Sequence, residues 1–297
     1  EKITSSLLGT KRSKVHYMLV HGNMCVSGNY GTFLLPEHKR SFPSIYKKLY
    51  ESAWSYAEES GVVSVSIIKD FPFEDDSLSQ ELQSMGFIRF VMDPVMRMNI
   101  SSDWKSFEDY LQTLSSKYRL RAVNVIEKLH DFRLEELQES DINKYKDELN
   151  VLYQSVISKS PVRIAQTDMD YIIQLKKHVP GFTVKAWFQE ERPVAFFTAF
   201  KTSEVTEAHH IGIDYHLNRT HALYQNILYG LIDIAIKNGS AVLDYGRTAM
   251  EMKSTVGATP YNFAAYIKMS NRVMNHLVKP FMPSEPPKNW VQRDPFR

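Results

Sequence analysis

The sequence predicts an α/β protein of the mixed-sheet (α+β) type, made of two similar halves that each build a mixed, mostly antiparallel sheet flanked by helices. In both halves a helical segment ends at a glycine, and a strand, a short helix, a second glycine and another strand follow. The helix-ending glycines, Gly61 and Gly239, are about 178 residues apart, and Gly86 and Gly257 are about 171 apart. This recurring order of elements indicates a duplicated architecture.

The first half is predicted to hold one long helix and two strands, followed by a helical connector. The expected elements are a helix over 42–60, a strand over 62–71, a short helix within 77–85, a single long strand over 87–100, and helices within 102–132 and 140–160. Both connector helices open on Ser-Asp, which is favourable at an N-cap. A boundary near Glu135 to Asp141 would separate an N-terminal domain, residues 1–135, from a C-terminal domain, residues 136–297.

The second half is predicted to begin with three strands and to end like the first half. The expected elements are strands over 182–189, 192–202 and 204–215, a helix over 220–238, a strand over 241–246, a short helix within 249–256, a strand over 261–269, and a proline-rich extended tail. The polar residues Glu190 and Glu191 separate the first two strands, which indicates an antiparallel hairpin. The apolar run from Val194 to Phe197 indicates that the middle strand is central.

Composition is ordinary for a globular protein, with 43% hydrophobic and 24% charged residues among 297. The formal net charge of +2 gives no global attraction to polyanions, so any such affinity would come from local patches. The one cysteine, Cys25, cannot form an internal disulfide, which fits a reducing compartment. Without an apolar run of about 20 residues, stable membrane insertion is not expected. We expect a cytoplasmic protein, and the oligomeric state is open.

One stretch near the C-terminus resembles a known family. The sequence LDYGRT, residues 243–248, is followed by MKSTVGATPYNFAAY, residues 252–266, and this resembles the C-terminal signature of the Fem-type branch of the GNAT superfamily. The basic segment SSKYRLRAVNVIEKL, residues 115–129, is similar to a helix after the first domain of those proteins. The resemblance implies tandem GNAT-like domains. It also implies an acyltransferase or aminoacyltransferase of peptidoglycan biosynthesis that moves an acyl group to an amine.

The donor implied by the resemblance is a CoA thioester or an aminoacyl-tRNA. Many GNAT proteins bind the pyrophosphate of acetyl-CoA with a glycine-rich loop, but the corresponding segment here, DYHLNRTHALYQ, residues 214–225, has no glycine. Arg219 in this segment is a candidate for binding an anion. An acyl-CoA cofactor is therefore possible without a recognisable phosphate loop, and a small-molecule or acyl-carrier donor and aminoacyl-tRNA are the alternatives.

Lys253 is the first catalytic candidate, since it aligns with a lysine of the family and would stabilise the oxyanion of the tetrahedral intermediate. Met252 stands before it where the family has an aromatic residue. Arg247 is a candidate for binding a carboxylate or phosphate, or it forms a structural ion pair with Asp244. Asp244 would orient Arg247 or act as a base. Tyr245, which points to the opposite face, completes this group as a candidate for substrate binding.

His209 and Tyr215 are the candidates for proton transfer. Histidine titrates near neutrality and suits deprotonation of an amine, and Tyr215 at the end of its strand would protonate a leaving group. Strict alternation places His209 and His210 on opposite faces, so either one faces a cleft or both are structural. Diverging histidines make a shared metal site improbable. We interpret Asp168 and Asp170 as an N-cap and a first-turn acid, so no metal is expected.

A basic stripe completes the predicted site. Lys117, Arg121 and Lys128 return to one face of the connector helix, where they would meet the phosphates of a nucleotide-linked substrate, a tRNA or a lipid head group. The alternative is a solvated face. Three functions follow from the sequence: an acyltransferase, a non-catalytic Fem-like binding module for a cell-wall or lipid-linked ligand, and a protein that contacts nucleic acid non-specifically.

Overall fold

The structure is a computed structural model that describes residues 16–28, 30–31, 33, 35–72, 78–159, 167–286 and 290–297. Contacts divide the chain into two compact units. The first consists of residues 1–23, 27–93 and 262–287, and the second of residues 24–26, 94–261 and 288–297. Each unit therefore contains segments that are distant in sequence.

The strands of the described residues are, in chain order, β1 (His16–His21), β2 (Val62–Pro72), β3 (Ile88–Val91), β4 (Val95–Asn99), β5 (Arg133–Glu136), β6 (Phe182–Gln189), β7 (Arg192–Lys201), β8 (Val205–Ile213), β9 (Val242–Asp244), β10 (Thr259–Tyr261) and β11 (Phe263–Met269). The α-helices are α1 (Phe42–Ser60), α2 (Ser79–Ser84), α3 (Phe107–Thr113), α4 (Ser116–Glu127), α5 (Glu139–Lys144), α6 (Lys146–Ile157), α7 (Met169–His178), α8 (Tyr215–His221), α9 (Leu223–Lys237), α10 (Met250–Ser254) and α11 (Arg272–Val278). Short 3₁₀ helices lie at Pro36–Ser41 and Lys279–Phe281.

The first unit contains a four-stranded sheet in the order β1-β2-β11-β3. β1 and β2 are parallel, whereas β11 is antiparallel to both β2 and β3. The predicted long helix is confirmed as α1, and Tyr46 and Tyr50 on it pack against Phe71 and Tyr266 of the sheet. The Phe71 ring meets those of Tyr46 and Tyr266 edge to face, the arrangement that such rings prefer.

The second unit contains a seven-stranded sheet in the order β10-β4-β9-β8-β7-β6-β5. All neighbouring strands are antiparallel except β8 and β9. The hairpin at Glu190 and Glu191 is confirmed, and β7 is the buried strand that was expected, since its residues from Pro193 to Ala199 are all buried. The predicted apolar stripe of α9, from Leu223 to Ile234, covers one face of this sheet.

Several strands belong to a different sheet from the one that the sequence predicts. The expected long strand over 87–100 is two strands, β3 and β4, that belong to different sheets. Pro94 lies between them, and a proline has no N–H group with which to continue a ladder. The last strand, β11, pairs with β2 and β3 of the first unit and not with the strands that precede it in the second half.

The division into units therefore differs from the predicted boundary near Glu135. β5, which contains Glu135, pairs with β6 along its whole length, so the residues on both sides of the predicted boundary belong to one sheet. Three of the predicted helices are also divided. The segment 102–132 breaks at Leu114 and Ser115, between α3 and α4. The segment 140–160 breaks at Tyr145, and the segment before Gly239 breaks at Ala222, whose φ of 50° is left-handed.

The C-terminal tail belongs to the second unit, where Phe296 lies against Trp104 and Tyr110 and its backbone forms a β-bridge with Leu114.

Gly257 has φ +106° and lies under the Phe296 ring, so that a Cβ atom on Gly257 would be 2.4 Å from Phe296. Gly257→Ala is therefore expected to lower the free energy of unfolding by about 1–3 kcal/mol, because strain and overlap add. Urea denaturation checks this, and Gly239→Ala, where a Cβ meets no atom within 4 Å, is the control for backbone strain alone.

Candidate active site

The candidate site lies where two parallel strands separate. β8 and β9 pair only from Val205 opposite Val242 to Glu207 opposite Asp244, after which β9 ends while β8 continues to Ile213. The space between them is a cavity of about 410 Å³, which we call the wedge cavity. It is lined by Val156, Ile157, Lys159, Ala208, His209, Ile211, Tyr215, Tyr224, Ile227, Leu228, Leu231, Tyr245, Arg247, Thr248, Ala249 and Lys253. The structure thus brings together Lys253, His209, Tyr215, Arg247 and Tyr245, five of the predicted residues.

Lys253 is buried, with only 4% of its surface exposed, and its Nζ donates to three backbone carbonyls. The acceptors are the oxygens of Tyr245 at 2.8 Å, Gly246 at 3.2 Å and Arg247 at 2.6 Å. Three is also the number of protons on an ammonium group, so each N–H has an acceptor in the loop after β9. Burial lowers the pKa of Lys253 to about 7, and the nearby Asp244 carboxylate opposes this shift.

The loop that Lys253 holds has an unusual backbone. Gly246, Thr248 and Ala249 all have positive φ, at 69°, 67° and 48°. Left-handed conformations at residues other than glycine cost free energy and persist where surrounding contacts impose them. The three carbonyl contacts of Lys253 are such a constraint, and they fix the side of the wedge cavity that carries Arg247.

Asp244 is paired with Arg97, a residue that no sequence pattern singles out. Its Oδ2 accepts from Arg97 Nε on β4 at 2.9 Å, and its Oδ1 accepts from the backbone N–H of Gly246 at 2.8 Å. The alternative of an Asp244–Arg247 ion pair is thus replaced by an Asp244–Arg97 pair, with the Arg97 guanidinium also 4.2 Å from the centre of the Tyr261 ring. Burial raises the pKa of Asp244, and the hydrogen bond from Arg97 opposes that.

The two histidines do not diverge, contrary to the prediction. The register of β7 and β8 shifts between Phe197 and Ala199, so that His209 and His210 both lie opposite Thr198 in a β-bulge. The extra residue breaks the alternation of faces. The two imidazole rings therefore stack, with their centroids 3.8 Å apart and their planes at 15°.

Aromatic rings surround the pair, and two threonine hydroxyls contact it, Thr198 Oγ1 at 3.2 Å from His209 Nδ1 and Thr167 Oγ1 at 2.8 Å from His210 Nε2. The rings of Tyr153, Tyr171, Phe182 and Phe200 lie around it. Burial lowers the pKa of His209 to about 2, with a contribution from His210, and lowers that of His210 to about 4. Such a weakly basic imidazole is unsuited to deprotonating an amine, so the surroundings of His209 argue against its predicted role as general base.

The tyrosines of the site differ in what their hydroxyl groups do. Tyr245 is buried and its hydroxyl donates to the carbonyl of Leu228 at 3.0 Å, so its ring forms a wall of the wedge cavity. Tyr215 follows the N-cap Asp214 of α8 and is 36% exposed, with the Lys159 ammonium 3.8 Å from its ring centre. Burial raises the pKa of Tyr215, which keeps its phenol protonated, as proton donation would require.

The wedge cavity adjoins a basic groove on the same unit. The groove consists of two further cavities, of about 570 and 730 Å³, that share Arg121, Ala249 and Met252. The smaller one shares Tyr215, Tyr224 and Ala249 with the wedge cavity. The cationic residues lining the groove are Lys117, Arg121, Lys128, Arg219 and Arg293.

The predicted basic stripe thus faces a cavity along its length. Lys117, Arg121 and Lys128 line the groove from α4 and its end, and Arg219 lines it from α8. Arg293 is held by Glu251, from Nε to Oε1 at 3.1 Å, whereas the stripe forms no ion pair with the carboxylates in the described part of the chain. Sequence reasoning missed Lys159, Tyr224, Trp290 and Arg293, which carry no motif and enter the site only through folding.

Neither a metal-binding cluster nor a membrane-spanning helix occurs among the described residues. The structure shows no group of three or more His, Cys, Asp or Glu side chains placed to hold a metal ion there. Asp168 is confirmed as the N-cap of α7, since it accepts from the Tyr171 N–H at 3.0 Å. The described helices include none with the length and apolar character needed to cross a bilayer.

Solved structures resemble this chain over most of its length. FemX superposes with a TM-score of 0.56 at 10% identity, covering 88% of this chain and 82% of that chain. The C-terminal domain of a putative lysylphosphatidylglycerol synthetase from Agrobacterium fabrum gives 0.51 at 12% identity, covering 80% and 75%. This chain has a Fem-like fold. L-PGS from Bacillus licheniformis has the same TM-score of 0.51 at 12% identity, covering 82% and 79%.

The fold predicted from the LDYGRT stretch is thereby confirmed, as two mixed sheets flanked by helices. No protein-family model matches the sequence, and no curated protein matches it. At 10–12% identity the likeness concerns the fold alone.

Proposed function

We propose that this protein is an N-acyltransferase or aminoacyltransferase that moves an acyl group from a phosphate-bearing donor to an amine. The observation that carries the proposal is the wedge cavity, which adjoins the basic groove through Tyr215, Tyr224 and Ala249. A groove lined by cations suits the phosphates of a donor, and an apolar cavity next to it suits the group that is transferred. All the described residues that line the cavity and the groove belong to the second unit.

The donor would lie along the groove with its phosphates against Arg121, Lys128 and Arg219. Acyl-CoA and aminoacyl-tRNA both carry such phosphates, and the residues present suit a donor held by side chains. The segment before α9 forms the helix α8 and not a glycine-rich loop, and the Asn218 side chain accepts the backbone N–H of Tyr224 at 2.9 Å. The backbone N–H groups that would bind a pyrophosphate in a glycine-rich loop are therefore partly used within the protein. This favours recognition of the phosphates by arginine and lysine side chains.

The acyl carbonyl would lie at the edge of β8 beyond Glu207, where the ladder with β9 has ended. Beyond Glu207 the backbone groups of β8 on this edge form no ladder hydrogen bonds with β9. Their N–H groups would polarise the acyl carbonyl and stabilise the oxyanion. Tyr215 would donate a proton to the leaving group at the junction with the groove. Lys253 would act by positioning the loop of Arg247, because its N–H groups already have acceptors. A bound acyl-CoA would supply an activated thioester and an aminoacyl-tRNA an activated ester.

Donor binding is tested by thermal unfolding with acetyl-CoA, octanoyl-CoA and deacylated tRNA. A ligand at 100 times its Kd stabilises the folded state by about 2.7 kcal/mol, which raises the melting temperature. Arg121→Ala and Arg219→Ala are each expected to weaken the binding about tenfold or more, since each removes a charged contact to phosphate. Lys237→Ala, an exposed lysine at the far end of α9, is the matched control. If no donor stabilised the protein, or if all three variants behaved alike, the assignment of the groove would be wrong.

A non-catalytic binding module is the second candidate, and the contacts of Lys253 favour it. An ammonium group with three carbonyl acceptors has no remaining proton for an oxyanion, which removes the role that the resemblance implies for this lysine. The two candidates differ in turnover. Single-turnover transfer from a stabilising donor to an amine supports the enzyme, whereas tight binding with no transfer over hours supports the module.

A further inference from the structure

The helix α11 of the first unit and the 3₁₀ helix that follows it present apolar side chains to solvent. None of the side chains of α11 is buried. Four apolar residues of this segment are more than half exposed: Val273 (67%), Met274 (51%), Leu277 (56%) and Phe281 (82%). Their spacing places them on one side of the segment, which we call the apolar face. Single exposed apolar residues are common on protein surfaces, but a cluster on one face is typical of an interaction site.

Polar contacts hold the other side of α11 against its unit. Asn275 lies on the side away from the apolar face, since a helix has 3.6 residues per turn. Its Oδ1 accepts from the Met269 N–H at 2.9 Å, and its Nδ2 donates to the Gly86 carbonyl at 2.9 Å. After the segment, the Val91 N–H donates to the Pro283 carbonyl at 2.8 Å. These contacts fix the orientation of the helix, and they turn the apolar face outward.

A basic flank lies beside the apolar face. Arg272, His276 and Lys279 are exposed, and their spacings of four and three residues return them to one side of the segment. The sequence from 271 to 282 contains no acidic residue. Because the net charge of the whole chain is only +2, attraction to an anionic partner depends on local patches such as this one.

An apolar face with a basic flank fits an anionic lipid surface. Amphipathic helices place their apolar side chains about 5–10 Å deep between the headgroups and the acyl chains. Each Arg or Lys near anionic headgroups strengthens such binding about fivefold. A stable protein partner would require about 800 Å² and about 20–30 residues from each side. α11 has seven residues, so a lipid surface fits it better than a protein partner does.

We propose that α11 and the 3₁₀ helix after it bind reversibly to the surface of an anionic bilayer. Leu277 and Phe281 would lie between the headgroups and the acyl chains, and Arg272 and Lys279 would contact the anionic headgroups. Attachment of this kind needs no helix that crosses the bilayer. All these residues belong to the first unit, so the binding is independent of the proposed transfer site in the second unit.

The test is co-sedimentation of the full chain with vesicles of phosphatidylcholine, either alone or with about one-third phosphatidylserine. We expect saturable binding to the anionic vesicles, about 25-fold stronger than to the neutral ones and weaker as salt is added. Phe281→Ala is expected to weaken the binding about tenfold, because it removes an exposed apolar side chain from the contact. Arg272→Ala and Lys279→Ala are expected to weaken it about fivefold each on anionic vesicles only.

Two control variants and hydrogen exchange locate the contact. Val151→Ala, at an apolar residue of α6 that is 68% exposed, and Arg121→Ala in the basic groove are expected to leave vesicle binding within about twofold. Backbone amides of residues 271–282 are expected to exchange more slowly on anionic vesicles. If Arg121→Ala weakened the binding and Phe281→Ala did not, the lipid contact would lie at the groove and the inference would be overturned. Equal binding to neutral and anionic vesicles would also overturn it, as would an absence of binding, which would indicate a protein partner for the apolar face.

Discussion

Lys253→Met is expected to lower the free energy of unfolding by about 2–4 kcal/mol at pH 9, and the loss is expected to grow as the pH rises from 7. Methionine fills the apolar part of the site, but it removes the N–H groups that the carbonyls of Tyr245, Gly246 and Arg247 accept, which number three on the ammonium and two on the uncharged amine at pH 9. A buried polar group that loses its partner costs about 1–3 kcal/mol. The left-handed residues Thr248 and Ala249 would lose the contact that holds their loop.

The pH dependence follows from the pKa of Lys253, which burial lowers to about 7 in the folded chain from 10.5. Between these values the unfolded chain binds one proton more than the folded chain. Stability that depends on Lys253 therefore rises with pH across this window, by up to about 1.4 kcal/mol per pH unit, and is flat below pH 7. The free energy of unfolding of Lys253→Met lacks this rise, so the difference in that free energy between parent and variant becomes larger as the pH increases from 7.

Urea denaturation at pH 7, 8 and 9 measures the effect, with Lys177→Met, an exposed lysine of α7, as the matched control. A difference between parent and Lys253→Met that stayed constant from pH 7 to 9 would show that Lys253 keeps an ordinary pKa. A variant as stable as the parent at pH 9 would show that water satisfies the three carbonyls. Donor binding by the variant adds a functional readout, because a loosened loop misplaces Arg247.

Local pattern was enough to predict most elements of this fold. Helical spacing located α1 and α9, and the polar pair Glu190-Glu191 located the hairpin of β6 and β7, because these signals depend on neighbours in sequence. The partners of β4 and β11 could not be read in this way. β4, from the first half of the sequence, belongs to the seven-stranded sheet, and β11, from the second half, belongs to the four-stranded sheet. Contacts between residues distant in sequence determine this pairing.

The same limit explains the outcome at the candidate site. The sequence predicted that Lys253, Arg247 and Tyr215 border one cleft, since the ends of neighbouring strands meet at one edge. It did not predict what they contact. Backbone carbonyls that accept from Lys253 have no signature in residue type, and Arg97 lies 147 residues before its partner Asp244. The stacking of His209 and His210 depends on one extra residue in β8, which appears only when β8 is paired with β7.

The histidine pair is expected to make the protein sensitive to mild acid, with a loss of stability that begins near pH 6.5. Burial lowers the pKa of His209 to about 2 and that of His210 to about 4, whereas both have ordinary values near 6.5 in the unfolded chain. Below pH 6.5 the unfolded chain therefore binds more protons than the folded chain. The stability contributed by the neutral pair is present above that pH and is lost as the pH falls through 6 and 5, by up to about 1.4 kcal/mol per pH unit for each histidine.

Two substitutions separate this effect from the titration of carboxylates at lower pH. His209→Phe is compatible with the surrounding Phe182 and Phe200, and His210→Gln keeps a side-chain nitrogen for the contact with Thr167 Oγ1, 2.8 Å from His210 Nε2. Between pH 7 and pH 5, the free energy of unfolding of the variant with both substitutions is expected to fall by about 2–3 kcal/mol less than that of the parent. Urea denaturation at the two pH values measures this. His216→Gln, an exposed histidine of α8, is the control. Equal acid sensitivity of parent and double variant would mean that the stacked pair is hydrated and titrates normally. A base for amine deprotonation would then again be available at His209, which lines the wedge cavity.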